Sequence, residues 1–289
     1  MAVTDTTTIP TWPKLSLPHG LLPGTLLAAN VFVRSAMFST LDYAGSARRP
    51  DVLESLKISA IAPYDVEQVG GSRLSQSDAD LLFWLLARAY RGGPPRGPAR
   101  VYFRRAEALA ALQRKRGGKT DALLDVSLIR LSRAEFVAKF HAVNSKFRLL
   151  ACVERVEREE KQYDYWVDIS GGVAELLACG EWLLIGEERG LLAGDSLARG
   201  LHAFYTSHKS AYPMLPSTLK AIMGRESMQN SKWRRALDAA LLKVRGVTGW
   251  WQCEVVKTGP HAGKVVVLKG RKPKTLRRPA INKAVPDAN

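Results

Sequence analysis

Residues Pro216 to Val256 read PSTLKAIMGRESMQNSKWRRALDAALLKVRGVTGWWQCEVV. Ser217 is suited to cap a short helix from Thr218 to Met223, and Gly224 is suited to stop it. Arg225, Glu226, Ser227 and Met228 separate this helix from a longer one expected over Gln229 to Val244. There Trp233, Leu237, Ala240, Leu241 and Val244 recur at helical spacing and form a buried stripe. Gln229, Asn230, Ser231, Lys232 and Arg235 remain near the N-terminal half on the other side. Gly246 is expected to end the helix, and an apolar strand-like run, Val247 to Val256, follows. A short helix, a tight turn, a longer polar-tipped helix and a β-hairpin are the parts of a winged helix-turn-helix. Such a fold places the N-terminal residues of its second helix at base edges in a major groove. The same stretch also reads as a helical hairpin capping a sheet, with a solvated charged face.

Working outward, the chain has 289 residues, 46% of them hydrophobic, enough for two domains with real cores. Its formal net charge of +16 points to a polyanionic partner, either nucleic acid or an anionic membrane surface. The longest apolar stretch, Leu81 to Ala87, is too short to span a bilayer. No basic-then-apolar signal segment opens the chain. Cys152, Cys179 and Cys253 are odd in number and widely spaced, and read as buried reduced thiols of a cytoplasmic protein.

Residues 1–29, rich in threonine and proline, read as a flexible arm. Leu53 to Ile61 and Tyr64 to Val69 are strand-like, and Ser75 to Arg91 is expected to be a helix that Ser77 and Asp78 cap. Then come a strand at Val101 to Phe103, a helix from Arg104 to Gln113, a basic turn and a helix from Lys119 to Leu131. Three strand-like runs, Glu135 to Val143, Lys146 to Val156 and Gln162 to Ile169, close the first half. The second half repeats the order, with helices at Ser170 to Cys179 and Ser196 to His208 ahead of the opening stretch. The wing strands are Trp250 to Lys257 and Lys264 to Lys269. The expected organisation is α+β: an arm (1–29), a first domain (30–169), a second domain (170–269) and a basic tail (270–289). The tail is expected to lie along phosphates or to act only as a solubilising segment.

These residues resemble the TrfA-type replication initiators of bacterial plasmids. The matching stretches are Arg34-Ser35-Ala36-Met37-Phe38-Ser39-Thr40, the helix Ser75 to Ala89, the segment Gly118 to Leu131, and above all Phe204 to Val256. In the last, the family pattern falls on Ser207, His208, Tyr212, Pro213, Leu219, Met223, Gly224, Ser227, Lys232, Trp233, Arg234 and Leu242. The resemblance implies two tandem winged-helix domains that bind repeated double-stranded origin sequences (iterons) and open an adjacent AT-rich tract. It also implies recruitment of the host initiator, replicative helicase and sliding clamp, and a homodimeric idle state. Lys14-Leu15-Ser16-Leu17-Pro18 stands near the position of the family's clamp-binding motif. Lysine replaces the family's glutamine there and proline its aromatic anchor, so the stretch reads as part of a proline-rich arm.

Enzymatic chemistry finds little support. Gly118-Lys119-Thr120 has the ending of a phosphate loop, but Gln113 occupies the position of its first glycine and a helix, not a strand, precedes it. His19, His141, His202, His208 and His261 include no close pair suited to a metal, and no cofactor is implied. The expected contacts are instead with DNA. Arg114, Lys115, Arg116, Lys119 and Thr120 crowd one turn and one helix tip, and such like charges are costly unless solvent or a polyanion separates them. Gln229, Asn230, Ser231, Lys232 and Arg235 form the second tip, Lys264 lies in the wing, and Arg271 and Lys272 open the tail. A winged-helix transcriptional repressor is the alternative reading.

Overall fold

The computed structural model describes residues 24–43, 49–92, 97–140, 143–156 and 162–270. The first unit opens with β1 (Leu26–Ala29), α1 (Asn30–Val33), β2 (Phe38–Ser39), β3 (Leu56–Ile58), β4 (Asp65–Gly70), β5 (Leu74–Ser75) and α2 (Gln76–Ala89). It continues through β6 (Arg100–Phe103), α3 (Arg105–Ala111), α4 (Gly118–Arg133), β7 (Glu135–Phe140), β8 (Val143–Arg148), β9 (Leu150–Arg155), β10 (Tyr165–Ile169), α5 (Gly171–Ala178) and β11 (Trp182–Ile185). The second unit comprises α6 (Glu188–Leu191), α7 (Ser196–Thr206), α8 (Pro216–Ile222), α9 (Asn230–Thr248), β12 (Gln252–Val255) and β13 (Val265–Leu268).

A shared order underlies both units. In the first, α2, β6, α3, α4, β9 and β10 follow one another, and the sheet order is β6-β10-β9. In the second, α7, the single bridging residue Met214, α8, α9, β12 and β13 follow one another. Met214 bridges Val265 of β13, which pairs with β12, so the last strand again lies in the middle. The first unit adds a four-stranded antiparallel sheet, β3-β4-β7-β8, formed by β3 and β4 ahead of that order and by β7 and β8 inserted between α4 and β9.

The cores divide later than the sequence placed them. One apolar cluster gathers residues from Leu26 to Ile185 together with Ala203, and a second gathers Leu192 to Val267. Val173, Leu176 and Leu177 of α5 belong to the first cluster, so the junction at Ile169–Ser170 lies inside it. The cause is β1. Leu26–Ala29, expected to belong to the arm, pairs antiparallel with β11 in the register Leu26 to Ile185. Its four side chains are all buried, which ties β11 into the first unit.

Two stretches meet across the units. The backbone N–H of Thr40 donates to the Met223 carbonyl at 3.0 Å, and Arg225 donates to the Thr40 hydroxyl and carbonyl at 2.8 and 2.7 Å. Arg34 donates to the Ser207 hydroxyl at 2.9 Å. Nearby, Asp80 of α2 pairs with Arg189 of α6 at 2.6 Å and with Arg199 of α7. Arg189 is 1% exposed and completes its bonds through the Gln76 amide oxygen and the Arg199 carbonyl. Burial pushes the Asp80 carboxyl upward, but the two guanidiniums outweigh it and its pKa lies below the ordinary value.

Candidate nucleic-acid interface

The second unit builds its tip from α8, a turn and α9. Pro216, not Ser217, opens α8. Leu215 is the N-cap and Pro216 takes the first turn, where proline's fixed φ suits a helix start and no N–H is missed. Gly224 ends the helix with φ +66°, next to backbone and side-chain atoms of Ser39. Trp233 is buried, and its indole N–H donates to the Pro216 carbonyl at 2.9 Å, fixing α9 against α8. Leu237, Ala240, Leu241 and Val244 line the same buried face. Truncating a buried leucine of this kind to alanine costs about 2–5 kcal/mol.

Anchored in this way, α9 turns its other face to solvent. Gln229, Asn230, Ser231, Lys232 and Arg235 are all exposed. The first turn of α9 carries no acidic residue. Among the described residues, Lys232, Arg234 and Arg235 have no ion-pair partner. A helix N-terminus carries partial positive charge, so unpaired cations gathered there favour an anion in front of them. The Lys220 ammonium donates to the Asn230 side-chain oxygen at 2.9 Å, and among the described residues nothing accepts from the amide NH2 of Asn230, which can donate outward.

The helix runs further than expected. Gly246 lies inside α9, exposed, with open space where a β-carbon would stand. The stop comes at Gly249, whose φ of +67° supplies the left-handed turn. Behind α9, the antiparallel pair β12–β13 projects the loop 256–264. The N–H of Val256 bonds the Lys264 carbonyl at 2.9 Å and that of Gly263 bonds the Val256 carbonyl at 2.8 Å. Lys257 at the loop is exposed, whereas Lys264 is half-buried.

A groove of about 570 Å³ separates α9 from β12 and is edged by Arg234, Arg245 and Lys257, with Asp238 and Glu254 between them. Sequence reasoning placed Arg234 in the family pattern but offered none of the three as a DNA contact. Arg234 and Arg245 are eleven residues apart, three helical turns, and that spacing was the available signal.

The first unit presents its expected contacts differently. Lys115, Arg116 and Lys119 are exposed and Thr120 is half-buried at the start of α4. Arg114 turns inward. Its guanidinium donates to the Ser77 carbonyl at 3.1 Å, and burial lowers its pKa while Asp80 and Asp78 oppose that shift. It therefore serves the contact between the α3–α4 turn and α2. Behind the tip, Arg105 pairs with Asp121 and Asp125. The outer face of α4 is apolar, with Leu123, Val126 and Ile129 between 44% and 50% exposed.

Arg271, Lys272, the remainder of the tail and Lys14 to Pro18 lie outside the described residues. Among the described residues, no group of three or more His, Cys, Asp and Glu side chains is placed to hold a metal ion, and no helix is long and apolar enough to cross a membrane. His202 is buried, stacks on Trp250 at 5.9 Å, and leaves Nδ1 without a partner among the described residues. Burial, with the nearby Arg189 and Lys269 charges, lowers its pKa to about 4.

No family model matches the chain, and no curated protein matches it. Solved structures do. A crystal structure of RctB domains 2-3 (RctB-155-483) aligns over 84% of this chain and 97% of its own, with a TM-score of 0.51 and 14% identity. A selenomethionine derivative of domains 2 and 3 of RctB aligns over 78% and 91%, with a TM-score of 0.50 and 16% identity. At such identity the likeness establishes a shared fold that runs through both units.

Proposed function

We propose that this chain is a sequence-specific double-stranded-DNA-binding replication initiator, built from two winged-helix units and without enzymatic activity of its own. The observation that carries the reading is the tip of α9. Amide, hydroxyl and cationic side chains project from a helix whose opposite face is locked by Trp233 and the leucines behind it. Rigid presentation of this kind suits base edges, because bidentate recognition needs donors held in place. The net charge of +16 adds the sequence-independent attraction to phosphates. RctB is itself a replication initiator, and the shared fold supports placing this chain in that class.

In the finer form of the proposal, the chain is of the TrfA type, binds origin iterons, opens an adjacent AT-rich tract and engages host replication proteins. Lys232 and Arg235 read bases, while Lys115 and Arg116 meet phosphates.

The test is selection of bound duplexes from a random pool, followed by footprinting on the selected sites and on the DNA flanking the coding gene. The expected result is one recurrent block, found as tandem copies beside an AT-rich tract, whose protection depends on Lys232 and Arg235. Binding without sequence preference would remove the proposal. A single non-repeated operator would favour a repressor.

A further inference from the structure

We propose that the outer face of α4 docks an acidic amphipathic helix of a partner protein. Lys119, Ala122, Val126, Ile129 and Arg133 follow one another at spacings of three, four, three and four residues, so they form one straight line along the helix. That line is the geometry of a helix–helix seam. Leu124, Leu128 and Leu131 are buried on the opposite side, which fixes the orientation of the helix. Val126 and Ile129 are 45% and 44% exposed, Leu123 beside them is 50% exposed, and Ala122 is exposed too. A solvent-facing helix surface ordinarily carries polar side chains instead.

The ends of the line identify the occupant. Lys119 and Arg133 are both exposed, and neither has an ion-pair partner among the described residues. They stand about 21 Å apart along the axis, so a partner helix of about fourteen residues spans them. A second copy of this face fits badly. Antiparallel pairing sets Lys119 against Arg133 of the other copy, and parallel pairing sets each cation against itself. A DNA major groove fits badly as well. Three aliphatic side chains would face base edges whose donors and acceptors then lose water and gain no hydrogen bond. A helix with aliphatic side chains along its centre and carboxylates at both ends satisfies the apolar line and both cations together.

The test is selection of sixteen-residue peptides from a randomised display library on the full chain, with counter-selection on a Val126→Glu/Ile129→Glu variant. The expected winners carry net negative charge and aliphatic residues at helical spacing. They should bind the Lys119→Glu/Arg133→Glu variant at least tenfold more weakly. This second variant leaves the apolar line intact and carries the test if the first fails to fold. No enrichment, or enrichment of neutral or basic peptides, overturns the proposal. So does any of three results that assign the face elsewhere. One is a fall in sedimenting mass for Val126→Glu/Ile129→Glu, which means a second copy. Another is a tenfold loss of DNA affinity in that variant, which means DNA. The third is a tenfold gain in peptide affinity on removing residues 1–23, which means the chain's own arm.

Discussion

Asp80 and Arg189 form an ion pair between the two units, with the guanidinium Nε 2.6 Å from the carboxylate oxygen and the arginine 1% exposed. Arg199 shares the same carboxylate. Removing one partner of a buried pair leaves an uncompensated charge, and here it leaves two. Asp80→Asn is expected to destabilise the fold by about 3–5 kcal/mol in urea denaturation at pH 7. The Asp80 pKa is depressed, so its contribution is present above the unfolded carboxylate value near 4 and is lost as pH falls through the lower folded value. The two proteins should therefore converge in stability on the acid side of pH 4. A wild-type-like midpoint for Asp80→Asn at pH 7 would contradict this.

His202 is a second acid-sensitive point. Its folded pKa of about 4 lies below the ordinary value of 6.5. Between these values the unfolded chain takes up a proton and the folded chain does not. Stability falls as pH drops from 6.5 to 4, by about 3 kcal/mol in all at 1.36 kcal/mol per pKa unit. His202→Phe keeps a ring against Trp250 and removes the titration. The variant should lose correspondingly less stability over that interval, measured by denaturation at pH 7 and pH 4. Equal losses for the two proteins would show that His202 is not the group responsible.

Gly224 closes the junction from the other side. Its φ of +66° is unfavourable for any side chain, and a β-carbon there would stand 2.8 Å from the Ser39 hydroxyl oxygen. Gly224→Ala should cost about 1–2 kcal/mol for the left-handed backbone alone, with the clash added to it. Ser39→Gly removes the clash and leaves the backbone cost. A double-mutant cycle in thermal or chemical denaturation should therefore show the alanine costing less in the Ser39→Gly background. Strict additivity would mean that the contact with Ser39 carries no energy.

DNA binding divides the basic residues. Lys232→Ala and Arg235→Ala should each weaken binding to the selected sequence by roughly 1–3 kcal/mol and relax specificity, read by titration on specific and scrambled duplexes. Arg116→Ala should weaken both duplexes alike and reduce the salt slope by about one phosphate contact. Arg114→Ala should act on folding instead, at about 1.5–3 kcal/mol for the lost charged hydrogen bond to Ser77. If Arg114→Ala kept full stability and lost DNA affinity, its inward orientation would not describe the protein in solution.

The helices were legible because their signals are local. Asp78 caps α2 as expected, though its partner in the capping box is Ser75 and not Ser77, and the buried stripe of α9 sits where its periodicity placed it. Gly246 misled because a glycine halts a helix only when the chain must turn left-handed there. An exposed glycine within the helix merely costs about 1 kcal/mol. β1 was illegible for the opposite reason. Leu26–Ala29 is buried on both faces and shows no alternation, and its partner β11 lies more than 150 residues away. Arg114 looked like its basic neighbours because a charge run does not reveal which member faces a carbonyl and two carboxylates. The TrfA-type resemblance rests partly on residues of the inter-unit contact, since Arg34, Ser39 and Thr40 meet Ser207, Met223 and Gly224.

That meeting has a consequence for synthesis on the ribosome. Thr40 and Arg225 are separated by 185 residues, yet they bond directly. At elongation rates of about 5–20 residues per second, Thr40 emerges on the order of ten to forty seconds before Arg225 does. Until then its N–H and carbonyl lack these partners, and once Ile185 has emerged the completed first unit carries an open seam along residues 38–40 until Arg225 follows. The second unit, made last, is the element that seals it.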